Sequence, residues 1–318
     1  VLFRSASAHH QWKSGIDTSI LHNDEALPLM FGGRYIFAAA LPGSLLGLPF
    51  PSVNAIQAVS LGIPAAYVQG YGVSGAAYTV SDLSLFTQDD WRISPQITLK
   101  YGLRYQKQFF PGGDLSGAGT AFPSDNNNFA PRVAATWAPG RNTSVHAAYG
   151  LFYDNQMTGI YGLPRILNGA STGVRILAAQ LPQQLPLQAW NAPGRRLPET
   201  AVGSYPSLKF AASPALKTPF AHHLTAGINQ ALAGQVAISA DFIYARGRDQ
   251  VGAIDYNPIV TSLGAGRRPD DVGGRAGTSA SVLQYTSFGE SWHRSLALSA
   301  RKQFGSRYQF LEIGRAHV

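Results

Sequence analysis

The chain has 318 residues, of which 45% are hydrophobic, only 13% are charged and none is cysteine. Disulfides and thiolate metal sites are therefore excluded, and no apolar run reaches the roughly 18 residues that a membrane-crossing helix needs. The formal charge of +8 is spread over scattered Lys and Arg with no basic run, which argues against nucleic-acid binding.

Taken in chain order, the first stretch to explain is VLFRS, and it pairs with the last, EIGRAHV. A back-translation of EIGRAHV contains the reverse complement of one for VLFRS, and the string resembles a common sequencing adapter. Residues 1–5 and 312–318 (Val1–Ser5 and Glu312–Val318) are thus expected to be translated adapter. Residues 6–311 are then the part that folds, an internal piece of a longer protein.

Alternation with a period of two, the mark of a β-strand, begins at HQWKSGIDTSI. There Trp12, Ser14, Ile16, Thr18 and Ile20 alternate with Lys13, Gly15 and Asp17. In DLSLFTQDDWRI, Leu83, Leu85, Trp91 and Ile93 carry the apolar positions. In ITLKYGLRY, Ile97, Leu99, Tyr101, Leu103 and Tyr105 alternate with Thr98, Lys100, Gly102 and Arg104. PRVAATWAPG, TSVHAAYGLFYD, HLTAGINQ, QVAISADFIYARG and the stretch around Leu296–Arg301 repeat the pattern. Each run is close to the length with which a tilted strand crosses a bilayer, about ten residues.

The connections alternate between short and long. Ser94–Gln96, Ala138–Asn142, Ala231–Gly234 and Gly305–Ser306 are short and rich in Pro, Gly or Asn, as tight turns require. The stretches 21–80, 110–128, 155–217 and 247–290 are long. Short turns at one end and long loops at the other are the habit of outer-membrane barrels. Within the loops, Val174–Gln180 has helical character, and LPGSLLGLPF at 41–50 reads as a short helix over the mouth.

The expected fold is all-β: a partial antiparallel transmembrane β-barrel with long extracellular loops and short periplasmic turns. Lys100, Arg104, Arg132, His146, Asp241 and Arg301 are expected to face the lumen, in contact with a plug or guiding an anionic solute. Leu99, Tyr101, Leu103, Trp137, Tyr149 and Ile238 are expected to face outer-membrane lipid. Trp91, Trp137 and Phe304 stand beside short turns, where an aromatic girdle on the periplasmic side would lie. The same alternation also fits a soluble β-sandwich that binds a partner, or a passive or adhesive barrel.

LFTQDDWRISPQITLKYGLRY resembles the paired strands of TonB-dependent outer-membrane receptors. Phe86, Gln88, Asp89 and Trp91 match the first strand, and Gly102, Leu103, Arg104 and Tyr105 the second, with Gln106 where the family has an acidic residue. NFAPRVAATWAP, HLTAGINQALAGQVAISADFIYARG and HRSLALSARKQF are similar to further strands of its Oar-like subgroup. The resemblance implies a large barrel of which roughly nine strands are present. It implies energised uptake of a bulky solute across the outer membrane of a Gram-negative bacterium. It also implies a plug domain and contact with TonB in the full-length parent, outside this piece.

Enzymatic chemistry finds no anchor. His9–His10 and His222–His223 are adjacent pairs that strand geometry sends to opposite faces, so neither chelates. Asp89–Asp90 diverge in the same way and are expected near the periplasmic rim, as wet-side and interface residues. Gly264–Gly266 lacks the lysine and the strand–helix setting of a phosphate loop. No catalytic residue, metal or cofactor is expected.

Overall fold

Bulky apolar side chains at every second position favour extended backbone, and the chain forms one long meander of strands. The computed structural model describes residues 2–37, 40–42, 52–62, 64–112, 122–155, 158–168, 173–180, 198–199, 208–264, 266–274, 279–302 and 310–317. The strands begin with β1 (Leu2–Ala6), β2 (His10–Ala26), β3 (Arg34–Ile36), β4 (Ala40–Pro42) and β5 (Ser52–Asn54). After helix α1 (Ala55–Ser60) come β6 (Ala66–Tyr71), β7 (Gly75–Arg92), β8 (Ile97–Phe109), β9 (Phe129–Gly140) and β10 (Thr143–Tyr153). Helix α2 (Gly159–Ile166) precedes β11 (Arg175–Gln180), β12 (Lys209–Ala212) and β13 (Phe220–Leu232). The last strands are β14 (Val236–Asp255), β15 (Val282–Lys302) and β16 (Phe310–His317).

The main sheet has eleven strands in the order β1-β2-β7-β8-β9-β10-β13-β14-β15, with β12 and β16 both on the far edge of β15. All its ladders are antiparallel except that of β12, which runs parallel to β15. Among the described residues no ladder joins β1 to β16, so the described strands form an open wall. The stretches expected to be adapter lie in β1 and β16, its two edge strands.

The wall is taller than the alternation alone implies. β2 has 17 residues, β7 18, β14 20 and β15 21, against the run of about ten that was expected. Beyond the apolar band both faces of a strand meet water, so the pairing continues while the hydrophobic alternation fades. The connection expected at 21–80 therefore shrinks to 27–74, and the one at 247–290 to 256–281. The short turns fall at 93–96, close to the expected 94–96, and at 141–142, where the expected 138–142 is shortened because β9 runs on to Gly140. At the turn after β13, Gly234 takes φ +75°, a left-handed conformation that favours glycine. The turn at 305–306 and Phe304 lie outside the described residues.

Two loop expectations change. Residues 175–180 form strand β11, not a helix, because they pair with β6 from Arg175 opposite Tyr71 to Gln180 opposite Ala66. Tertiary pairing overrides a modest local preference. Of 41–50, Leu41 and Pro42 belong to β4 and the rest lies outside the described residues. α2, unexpected from a stretch with Pro164 inside it, buries Tyr161, Gly162, Pro164 and Ile166.

The core sits at the long-loop end. Tyr78, Val80, Phe122, Tyr161 and Leu216 form one cluster, and Ile166, Leu167 and Val174 another. The loops thus fold back onto the upper part of one sheet face.

Candidate functional site: the two faces of the wall

Register divides the candidate residues. Gly102 stands opposite Arg132, Arg132 opposite Gly150, His146 opposite Gly227, and Gly227 opposite Asp241. Arg301 stands opposite Ala237, two pairs along from Ser239 opposite Ser299. Lys100, Arg104, Arg132, His146, Asp241 and Arg301 therefore share one face. Trp91 stands opposite Leu99, Tyr101 opposite Val133, and Val133 opposite Tyr149. Trp137 stands opposite Ile97 and Val145, and Val145 opposite Ile228, which faces Ala240 beside Ile238. Leu99, Tyr101, Leu103, Trp137, Tyr149, Ile238 and Trp91 thus share the opposite face.

That second face is apolar and open. Ile16 is 47% exposed, Leu103 44%, Trp137 50%, Ile228 44% and Leu298 52%. These residues come from β2, β8, β9, β13 and β15, so the belt crosses most of the wall. Monomers in water rarely expose an apolar patch above a few hundred Å². One carboxylate breaks the belt near its short-turn end. Asp89 is buried at 2% exposure, within 2.6 Å of His10 Nδ1, and accepts a hydrogen bond from the Tyr101 hydroxyl at 3.1 Å. His10 stacks on Trp91 at 5.5 Å. The expectation of a wet side fits Asp90, which faces the other way and reaches Lys100 Nζ at 3.4 Å. It does not fit Asp89, whose charge is masked by side chains of the apolar face.

On the polar face the six candidates fall into three groups. Lys100, Arg104 and Arg132 line one concavity of about 680 Å³. Arg104 donates to Ser84 Oγ at 2.8 Å, and the Arg132 guanidinium lies over the Phe152 ring at 4.3 Å. His146 and Asp241 form a pair at 3.0 Å. Arg301 lines a separate hollow of about 390 Å³ with Ser239 and Ser299, whose hydroxyls meet at 2.7 Å. His222 and His223 part company, His222 bonding to Tyr149 at 2.8 Å and His223 packing against Phe152. Among the described residues no group of three or more His, Asp or Glu converges as a metal site.

Polar networks that sequence reasoning missed fix the mouth. Tyr78 donates to Glu25 and lies 2.9 Å from the Thr158 carbonyl, and its ring packs on Tyr161. Burial, reinforced by Glu25, raises the Tyr78 pKa above the ordinary tyrosine value. Farther along, Asp255 accepts from the Asn257 and Val282 amides at 3.0 Å each, from the Ser281 hydroxyl, and from Arg268 at 3.2 Å. Burial pushes the Asp255 carboxyl upward, but these donors outweigh it and hold the carboxyl below its usual range. Buried Asn257 extends the network to Ser279 and Ala280.

An antiparallel wall with an open apolar belt, a polar opposite face and loops gathered at one end is a segment of a membrane-spanning β-barrel. Residues 4–312 match the family described as "Outer membrane beta barrel domain", and the chain belongs to that family. Its place is the outer membrane.

Solved structures share the fold. The outer membrane transporter YddB from Escherichia coli is 13% identical with a TM-score of 0.52, over 99% of this chain and 32% of that one. A point mutant of the ferric enterobactin receptor PfeA from Pseudomonas aeruginosa, solved in complex with enterobactin, is 11% identical with a TM-score of 0.52, over 100% of this chain and 34% of that one. The chain thus spans about a third of the length of these structures. No curated protein matches it in sequence.

Proposed function

We propose that this chain is part of the barrel wall of a TonB-dependent receptor, which takes up a bulky solute with energy relayed by TonB. The observation that carries the reading is the net cationic concavity that Lys13, Lys100, Arg104 and Arg132 line together with Asp90. It supports a lumen face built to hold an anionic surface, that of a plug domain or of the cargo, through the summed field of these cations, which outweighs the charge of Asp90. The motif around Phe86–Tyr105 supports the same assignment.

In this reading Lys100, Arg104, Arg132, His146, Asp241 and Arg301 line the lumen. Leu99, Tyr101, Leu103, Trp137, Tyr149 and Ile238 meet lipid. Trp91, Trp137 and Phe304 form the periplasmic girdle. The plug and the TonB contact belong to the full-length protein. The test is binding of that purified protein to the periplasmic domain of TonB. Saturable binding, strengthened by added cargo, is expected. A protein that conducts solute without any affinity for TonB would instead be a passive barrel.

A further inference from the structure

The apolar belt ends in a basic cluster at the long-loop end. On β14 the outer face reads Ile238, Ala240, Phe242 and Tyr244, then Arg246 and Arg248. On β15 the same face reads Ala300, Leu298 and Leu296, then Arg294, Trp292 and Glu290. Arg246 stands ten residues beyond Val236, at the short-turn end. At about 3.3 Å per residue and a tilt near 40°, ten residues rise about 25 Å, the height of a barrel's apolar band. The cluster therefore sits where the outer leaflet's headgroups begin.

Its geometry is built. The ladder between β14 and β15 slips at Gly247, Gln250 and Val251, and Asp249 takes φ +53°. Such a bulge re-aims the side chains beside it. Arg248 and Arg246 both reach Glu290, Arg246 at 3.1 Å. The Arg294 guanidinium lies 5.7 Å from the centre of the Tyr244 ring. Trp292, register partner of Arg246, is 74% exposed. Two of the three guanidinium groups thus share one carboxylate, Glu290, and the third lies against the Tyr244 ring, which leaves a surplus of positive charge beside an exposed indole. Both paired arginines keep about two fifths of their side-chain surface open.

We infer that Arg246, Arg248 and Arg294, with Trp292, form a binding site for the phosphate groups of an outer-leaflet glycolipid. Guanidinium forks match phosphate bidentately, and an indole suits the boundary between acyl chains and headgroups. Glu290 holds two of the forks in place before the lipid arrives. The inference rests on the lipid-face assignment proposed above.

The test uses the full-length protein purified in neutral detergent and native mass spectrometry with added lipid A as probe. Bisphosphorylated lipid A should bind the wild type, and enzymatically dephosphorylated lipid A should bind about tenfold or more weaker. The triple variant Arg246→Gln, Arg248→Gln, Arg294→Gln should lose affinity to the same degree while keeping the heat-modifiable gel mobility of a folded barrel. Inorganic phosphate should not compete at equal concentration. Equal binding of the two lipids overturns the site without reference to any variant, and so does a folded triple variant with unchanged affinity. Competition by free phosphate would replace the glycolipid with a soluble anion. Charge substitutions at Leu99 and Ile238 test the face assignment separately, so the two failures are distinguishable.

Discussion

His146 Nε2 lies 3.0 Å from Asp241 Oδ1, although the two residues belong to strands that are not neighbours. β13 runs between β10 and β14, and the pair closes over Gly227 because that residue has no side chain. A Cβ there would stand 2.1 Å from Asp241 Oδ1 and 2.7 Å from His146 Cε1. Gly227→Ala should therefore separate the pair and cost about 1–3 kcal/mol through overpacking. Urea titration of the folded protein measures it. With the pair already broken, adding His146→Ala should change little. An unaltered midpoint for Gly227→Ala would show that the wall yields at this point.

The face assignment predicts an asymmetric response to charge. Leu99→Arg and Ile238→Arg should each oppose membrane insertion by about 2–4 kcal/mol near the bilayer midplane. Lys100→Leu, one residue away on the other face, should leave insertion intact. Folding yield into vesicles reads both. Normal assembly of Leu99→Arg and Ile238→Arg would reverse the faces.

Asp255 predicts a pH response of the loop at 256–281. Its folded pKa lies below the ordinary carboxylate value, so its contribution is complete above about pH 4 and fades as pH falls through the lower, folded value. Hydrogen exchange at Asn257 and Val282 should stay slow at neutral pH and quicken only in acid. Asp255→Asn should quicken both at neutral pH, by about 1–3 kcal/mol of lost protection. Acid-insensitive exchange in the wild type would remove Asp255 as the anchor.

Helix α2 depends on a glycine. A Cβ on Gly162 would stand 2.0 Å from Glu25 Oε2 and 2.8 Å from the Tyr78 hydroxyl. Gly162→Ala should push α2 off β7 and open Arg165 to trypsin, with strand content unchanged by circular dichroism. Equal cleavage rates in the variant and the wild type would contradict that packing.

The strands and their two faces were readable because alternation is imposed by the difference between apolar and aqueous surroundings. ITLKYGLRY carries that difference residue by residue. Where both surroundings are water the signal disappears, so the upper reaches of β14 and β15 did not stand out. β11 was misread because its partner, β6, is about a hundred residues earlier. α2 was hidden by its shortness and by Pro164. Asp89 broke the alternation on the apolar face and drew a wet-side assignment, since nothing in sequence announces that His10 and Tyr101 converge on it. The meeting of Arg248 with Glu290 depends on a bulge, which shifts neighbours without altering composition.

β12 has a consequence for how the wall is put together. It covers the far edge of β15 from Val282 to Tyr285, while β16 covers the same edge from Ser295 to Lys302. A strand zipping up β15 from the short turn therefore meets an end stop at Tyr285, where Ala212 already holds the place. The returning loop thus sets an upper limit on how far any strand can pair along this edge, whatever that strand's own length.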